Sequence, residues 1–411
     1  MIKTGCRSLK AGRPYDMREY LVCKIQYRDR DFIAAALYED RKLVFLRMEP
    51  DGEPSLVGNV YRGVVDSVSR NIGGAFVDIG DRSLCFLPLK RHSHVQASSG
   101  ILVQVVKDAS GRKEPVLTDN IHISGKYAVL SMQASPAAYS TKLTSEEKRV
   151  LRKWMEDAGG PEGTGSLPYG VIVRTNASRA RKSDFQDEIG SMSGQLDAIR
   201  SSYAKAKKGE LLWKPEPFYV QALRDLYEMP DRCFTDIPSV AEELSHFTDQ
   251  PAGTEDPEDG AIYRAEAGKA FSLPELYGLP HELDRLTQKI VWLKSGAFLV
   301  IERTEAFVSI DVNTGRCTKG RIPEETYRKV NLEAAAEIAR QLALRNLSGM
   351  ILVDFIKLEN EDHRDELIHV MQKLVRKDQV RTEAVDLTPL GIMEIVRHKV
   401  RKPLAEVLGV C

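Results

Sequence analysis

Two apolar stretches separated by one long helical stretch restrict the fold of this chain more than any other feature. "FVSIDV" at 307 to 312 alternates like a strand, and "MILVDFI" at 350 to 356 is a continuous apolar run. Between them "IPEETYRKVNLEAAAEIARQLALRNLSG" predicts a helix over 323 to 346. Pro323 suits its first position, Glu324 and Glu325 suit the positive end of its dipole, and Ser348 and Gly349 suit its exit. Strand, helix and strand in this order make a right-handed βαβ unit whose strands lie parallel and adjacent. The second strand, apolar throughout, is expected to be buried on both faces.

This unit carries two acids, Asp311 and Asp354, forty-three positions apart and each near the carboxyl end of its strand. Ligands of open α/β sheets bind at that edge. Adjacent strands lie about 4.8 Å apart, so two carboxylates on one face can reach a single ion. They would repel one another unless a cation neutralised them. Magnesium takes one or two carboxylates and keeps waters and phosphate oxygens in its other positions; manganese is the alternative ion. Asn313 can orient a bound water or phosphate, and Gly315 lets backbone approach closely. The competing reading takes each acid singly, with Asp311 opening an Asx turn and Asp354 capping the next segment.

Short strands of β-branched and aromatic residues parted by glycine, from "GNVYRGVVDSV" onward, suit an OB-type barrel. Residues 18 to 49 read as strands meeting at "YEDRK", "SEEKRVLRKWMEDA" as a capped helix, and "GVIVRT" as a strand. Helical patterns follow to about 227, and the acidic, Pro- and Gly-punctuated stretch 235 to 275 reads as irregular connection. The 411 residues allow two or three domains. No run of 18 apolar residues and no secretory pattern occurs, so no membrane span is expected and the expected setting is cytoplasmic. Six scattered cysteines without a C-x-x-C pair point to reduced thiols. The 59 basic and 59 acidic residues balance, yet 233 to 260 hold eight acids and no Lys or Arg. The other residues therefore set fifty-nine basic against fifty-one acidic side chains, which leaves room for a basic surface. P-loop, nucleophile-elbow and H-E-x-x-H motifs are absent, and "HSH" (His92, His94) reads as a surface loop.

"SIDVNTGR", "NLEAAAEIARQLALRNLSGMILVDFI" and "PLGIMEIVRHKVRKPL", with "VYRGVVDSVSRNIGGAFVDIG" and "GVIVRT" upstream in the same order, resemble the catalytic half of the ribonuclease E/G family. The resemblance spans residues 17 to 410 and implies a multidomain fold of mixed α+β and α/β class. An RNase H-like subdomain (1–55 and 212–286) would be split by an OB-type RNA-binding barrel (56–119). A 5′-sensor domain (120–211) and a DNase I-like α/β catalytic domain (287–411) would complete the chain. The implied activity is magnesium-dependent endonucleolytic cleavage of single-stranded RNA, leaving a 5′-phosphate, in the processing of ribosomal and messenger RNA.

By the same resemblance Asp311 and Asp354 are the metal ligands, with Asn313 beside them. Gly125, Val129, Arg174 and Thr175 fall on the positions that hold a substrate's 5′-monophosphate. Phe76, Phe86 and Lys113 fall on those lining the RNA path. Read without the resemblance, both Phe are barrel core and "VRT" is an ordinary strand end. The family's zinc-joining segment carries two cysteines, of which this sequence holds Cys411 alone. With one cysteine of the pair, the structural zinc and zinc-linked tetramer that the resemblance would otherwise imply stay open, and a homodimer is the expected assembly. Lys357 stands where the family has Asp, and Glu114-Pro115 replaces small residues beside the sensor strands. Lys357 keeps open an alternative, an RNA-binding protein of the same fold with catalysis lost. A small-molecule phosphohydrolase is a third reading, against which the OB-type barrel speaks.

Overall fold

The computed structural model describes residues 17–52, 55–80, 84–89, 95–109, 113–158, 168–226, 228–248, 263–264, 272–315, 324–388 and 390–410. His92, His94, Cys317, Pro323 and Cys411 lie outside the described residues. The chain forms two compact units, one of Met1–Gly52 with Glu228–Cys411, the other of Glu53–Tyr227.

The first unit begins with a meander, β1 (Arg18–Tyr27), β2 (Arg30–Glu39) and β3 (Lys42–Pro50). Its two-residue turns, Arg28-Asp29 and Asp40-Arg41, have positive φ at both positions, the conformation that matches strand twist in tight hairpins.

In the second unit β4 (Val60–Ser69), β5 (Gly74–Asp78), β6 (Cys85–Pro88), β7 (Gly100–Lys107) and β8 (Val116–Thr118) pair in the order β4-β5-β6-β8-β7. Antiparallel pairing of β7 back onto β4 closes an OB-like barrel, so these five strands leave no open edge among themselves. Alternation places Val65, Ala75, Val77, Leu87 and Val103 inside it. Beyond it β9 (His122–Ser124), β10 (Ala128–Ser131), β11 (Ala138–Tyr139) and β12 (Gly170–Val173) form a small sheet in the order β11-β12-β10-β9. Helices α1 (Ser145–Ala158) and α2 (Lys182–Tyr203) share a core with it, in which Leu130, Val171, Phe185 and Leu196 are buried. β13 (Leu211–Trp213) pairs with β4, and α3 (Phe218–Asp225) follows.

The first unit resumes with β14 (Arg232–Thr235), parallel to β1, then α4 (Pro238–Thr248), β15 (Tyr263–Arg264), α5 (Leu273–Leu276) and α6 (Leu279–Thr287). A helix at 238 to 248 corrects the expectation of irregular chain there. Pro238 can begin a helix, and Val240 and Leu244, four apart, bury one face of it. Next come β16 (Ile290–Trp292), β17 (Phe298–Arg303), β18 (Phe307–Asn313), α7 (Glu324–Leu344), β19 (Gly349–Asp354), α8 (Glu361–Val375), β20 (Thr382–Leu387), β21 (Ile392–Arg397) and α9 (Leu404–Leu408).

The last sheet runs β16-β17-β18-β19-β21-β20, with β18 and β19 parallel neighbours as the βαβ pattern requires. Val330, Ala334, Ile338 and Leu342 of α7, with Leu367 and Met371 of α8, pack against Ile310, Val312, Ile351 and Val353. Each large aliphatic side chain so buried contributes about 1.5–3 kcal/mol. The opposite face stays open: Met350 and Asp354 are exposed and Leu352 is half-buried. The expectation that "MILVDFI" is covered on both sides is therefore wrong, because the helices lie on one side only.

Arg397 of β21 secures the α7–β19 connection. Its buried guanidinium donates to Asp378 at 2.7 Å, to Asn346 Oδ1 at 2.8 Å and to the Leu347 carbonyl at 3.0 Å. Removing one partner of a buried pair strands the other charge. Arg397→Ala should cost about 3–5 kcal/mol in urea denaturation; a loss no larger than that of an exposed ion pair, about 1 kcal/mol or less, would show the pair to be dispensable.

Candidate active site

Asp311 and Asp354 are direct partners in the parallel register of β18 and β19. Both are exposed, whereas their neighbours Ile310, Val312 and Val353 are buried beneath the helices, so the two carboxylates share the open face. The Asn313 amide donates to Asp311 Oδ2 at 2.7 Å and orients that carboxylate. Neither acid acts as a turn or cap residue: Asp311 is paired within its strand, and α8 is capped by Asn360, whose side chain accepts from Asp362 N. Gly315 adopts φ +56, and a Cβ there would collide with the Gly296 carbonyl. Its small size serves contact with its own chain.

The sequence reading missed what fixes the chain beyond Asp354. Asn331, fully buried on α7, donates to the Ile356 carbonyl at 2.7 Å and accepts from the Ile356 N–H at 3.1 Å. A wholly buried Asn in an apolar helix face was the available signal, since such a group must find partners. Glu324 holds the Asn360 N–H at 2.8 Å and His363 Nδ1 at 3.1 Å. The Asn360 N–H, then His363, draw the Glu324 carboxyl below its usual range. A depressed carboxyl stabilises the fold above its unfolded pKa of about 4.3, and the contribution is lost as pH falls through the folded value. Lys357 is exposed, three residues after Asp354.

Among the described residues no group of three or more His, Cys, Asp or Glu is placed to hold a metal ion. Two exposed carboxylates are a sparse donor set. They suit an ion that keeps most of its water, as magnesium does, and would not close a zinc site.

In the barrel Phe76 and Phe86 are cross-strand partners, with ring centroids 5.9 Å apart and planes at 61°. Both are half-buried and project opposite to the core residues Ala75, Val77, Cys85 and Leu87. Neither is barrel core. The Phe86 N–H donates to the Pro115 carbonyl at 2.8 Å, so Glu114-Pro115 belongs to the barrel wall; Lys113, just before it, is exposed.

In the small sheet Arg174, at the end of β12, donates to the Gly125 carbonyl at 2.5 Å and to Asp225 Oδ1 at 2.8 Å. Val129 lies opposite Ile172 in the β10–β12 register, and Thr175 Oγ1 shares a 2.8 Å hydrogen bond with Ser140 Oγ. Glu188 from α2 accepts the N–H groups of Lys126 and Tyr127 at 2.7 Å and of Ala128 at 3.0 Å. Any Cβ at position 125 would strike that carboxylate. Neither Glu188 nor Asp225 was legible as a partner, because each acts on residues about fifty or sixty positions away.

Paired carboxylates on an open α/β sheet face, in a chain with an OB-like barrel, are the layout of an enzyme that handles nucleic-acid phosphodiesters. The Ribonuclease E/G family model matches residues 122–400. The chain is 29% identical over 390 residues to Ribonuclease G of Salmonella typhimurium (strain SL1344), covering 88% of this chain and 77% of that protein. Ribonuclease G of Escherichia coli (strain K12) matches to the same extent. Ribonuclease E of Nostoc sp. (strain PCC 7120) is 30% identical over 368 residues, covering 86% of this chain and 52% of that protein. The chain belongs to the ribonuclease E/G family of endoribonucleases. Among the described residues no helix is long and apolar enough to cross a membrane.

Asn331→Ala should cost about 1–3 kcal/mol of stability, because the Ile356 N–H and carbonyl lose their partners. If Asp354 belongs to the cleavage centre, the change should also lower kcat on RNA with little change in KM, since the chain after Asp354 loses its anchorage and the RNA contacts do not. Steady-state kinetics that show only a raised KM would place Asn331 in substrate binding instead.

Proposed function

We propose that this protein is a magnesium-dependent endoribonuclease that cuts single-stranded RNA internally, leaves a 5′-phosphate on the downstream product and favours substrates with a 5′-monophosphate. Processing of ribosomal and messenger RNA is the corresponding role. The observation that carries the reading is the direct pairing of Asp311 with Asp354 on the open sheet face. These two residues would hold the ion, which when bound activates water, anchors the scissile phosphate and stabilises charge on the leaving oxygen. Asn313 keeps the Asp311 carboxylate turned to one orientation. Phe76 and Phe86 offer faces on which unpaired bases stack, and Lys113 supplies a cation for the backbone.

With a 5′-monophosphorylated single-stranded oligonucleotide, Asp311→Asn and Asp354→Asn should each slow internal cleavage on the order of a thousandfold or more. EDTA should stop the wild-type reaction and added magnesium should restore it. Full cleavage by either variant would remove the mechanism, and RNA binding with no cleavage by the wild type would favour the binding-protein alternative.

The 5′-end reading rests on Arg174, whose guanidinium gives charge-assisted contacts to phosphate. Arg174→Ala should reduce the preference for a 5′-monophosphate over a 5′-hydroxyl end by roughly 10- to 150-fold, the worth of a hydrogen bond to a charged group. Slow cutting of circular RNA should persist. Equal loss on circular RNA would mean that Arg174 serves only to join Asp225 to Gly125.

A further inference from the structure

The register that pairs the two acids also carries a row of side chains across the open face to the sheet edge. Asn313 lies opposite Phe298, and Phe298 opposite Trp292. The intervening Val312, Leu299 and Val291 are buried under the helices, so these three side chains stand on the face of Asp311 and Asp354. Trp292 is 59% exposed, and its ring centroid is 5.1 Å from that of Phe298 with the planes at 51°. An indole left largely in water at the edge of a sheet contributes little to the core.

Trp292 also lines a groove of about 560 Å³ at that edge, whose other lining residues include Glu333, Ala336, Glu337 and Arg340 of α7, so that it leads round the edge to the helix-covered side of the sheet. Five cations line it, Arg41, Lys42, Arg285, Lys294 and Arg340, against three glutamates. Lys42, Arg285 and Arg340 are paired with glutamates, whereas Arg41 and Lys294 form no ion pair among the described residues. The strand of Trp292 lies two strand spacings, roughly 10 Å, from that of Asn313.

We propose that Trp292, backed by Phe298, is a base-stacking subsite for a nucleotide beside the scissile phosphate, from which the RNA backbone passes into the basic groove. This rests on the reading of Asp311 and Asp354 as the cleavage centre. A base has a π-face whatever its identity, so the subsite strengthens binding without choosing sequence. Single-stranded RNA fits this face better than a second copy of the chain does. A dimer contact here would bury two acids that no cation pairs with among the described residues, whereas RNA brings phosphate to the cations.

The test uses the full chain, a 5′-monophosphorylated single-stranded oligonucleotide, and a set of the same oligonucleotides each with one abasic residue. Trp292→Ala should raise KM by roughly 5- to 150-fold with kcat nearly unchanged, and Trp292→Phe should recover most of the loss. One abasic position should reproduce the defect in the wild type and add nothing in Trp292→Ala. In an Asp311→Asn background, RNA should quench tryptophan fluorescence, and the further change Trp292→Phe should remove most of that quenching. An unchanged KM for Trp292→Ala, or the same abasic sensitivity with and without the indole, overturns the subsite. So does a change in the sedimentation of RNA-free protein on Trp292→Ala, which would assign the ring to a contact between copies. Undiminished cutting by Asp311→Asn defeats the cleavage centre itself. Loss of cutting in Asp311→Asn together with wild-type kinetics in Trp292→Ala defeats the subsite alone.

Discussion

The site depends on one constraint: two strands joined by a helix must run parallel, and here they run side by side. Antiparallel partners could be brought together by a short turn whose slippage by one residue would turn one acid into the core. The α7 crossover removes that freedom. Its apolar stripe, Val330 to Leu342, must lie on the same side as Ile310, Val312, Ile351 and Val353, which leaves the alternate positions 311 and 354 facing outward. Burial of aliphatic side chains on one face therefore aims the carboxylates on the other. Asn331 and Arg397 trim the result by holding the chain just after Asp354 and just before β19.

This explains which parts of the site could be read from sequence. The pairing of Asp311 with Asp354 follows from periodicity and chain direction, both local properties. The error over "MILVDFI" has a physical source as well. An apolar run predicts burial on both faces only if layers cover both, and the sequence of one strand does not say how the helices divide between faces. Met350 and Leu352 remain apolar on an open face, where apolar atoms are ordinary components of a protein surface. The helix at 238 to 248 was hidden for a different reason: acidic and Pro-rich composition around it outweighed a two-residue apolar stripe.

Long-range polar partnerships were not legible at all. Nothing near Arg174 announces Asp225, and nothing near Gly125 announces Glu188, because the folded chain alone brings them together. The cross-strand Phe pair was half legible. The alternation in β5 and β6 assigns Phe76 and Phe86 to the face opposite Ala75, Val77, Cys85 and Leu87, but only closure of the barrel decides which face is the interior.

These partnerships bear on the proposed recognition of a 5′ end. Successive backbone N–H groups at 126 to 128 form a concavity of the kind that binds anions, and Glu188 already fills it with a carboxylate. While Glu188 stays there those donors are closed to a phosphate. Under the proposed function, recognition would fall to side chains, Arg174 above all, and Arg174 is shared with Asp225. A phosphate approaching Arg174 meets the Asp225 charge, which a doubly charged monophosphate end can outcompete more readily than a neutral hydroxyl end can. On the proposed 5′-end reading, the acid that steadies the guanidinium would also set a threshold on the charge of the ligand, and selectivity would come from competition between two anions for one cation.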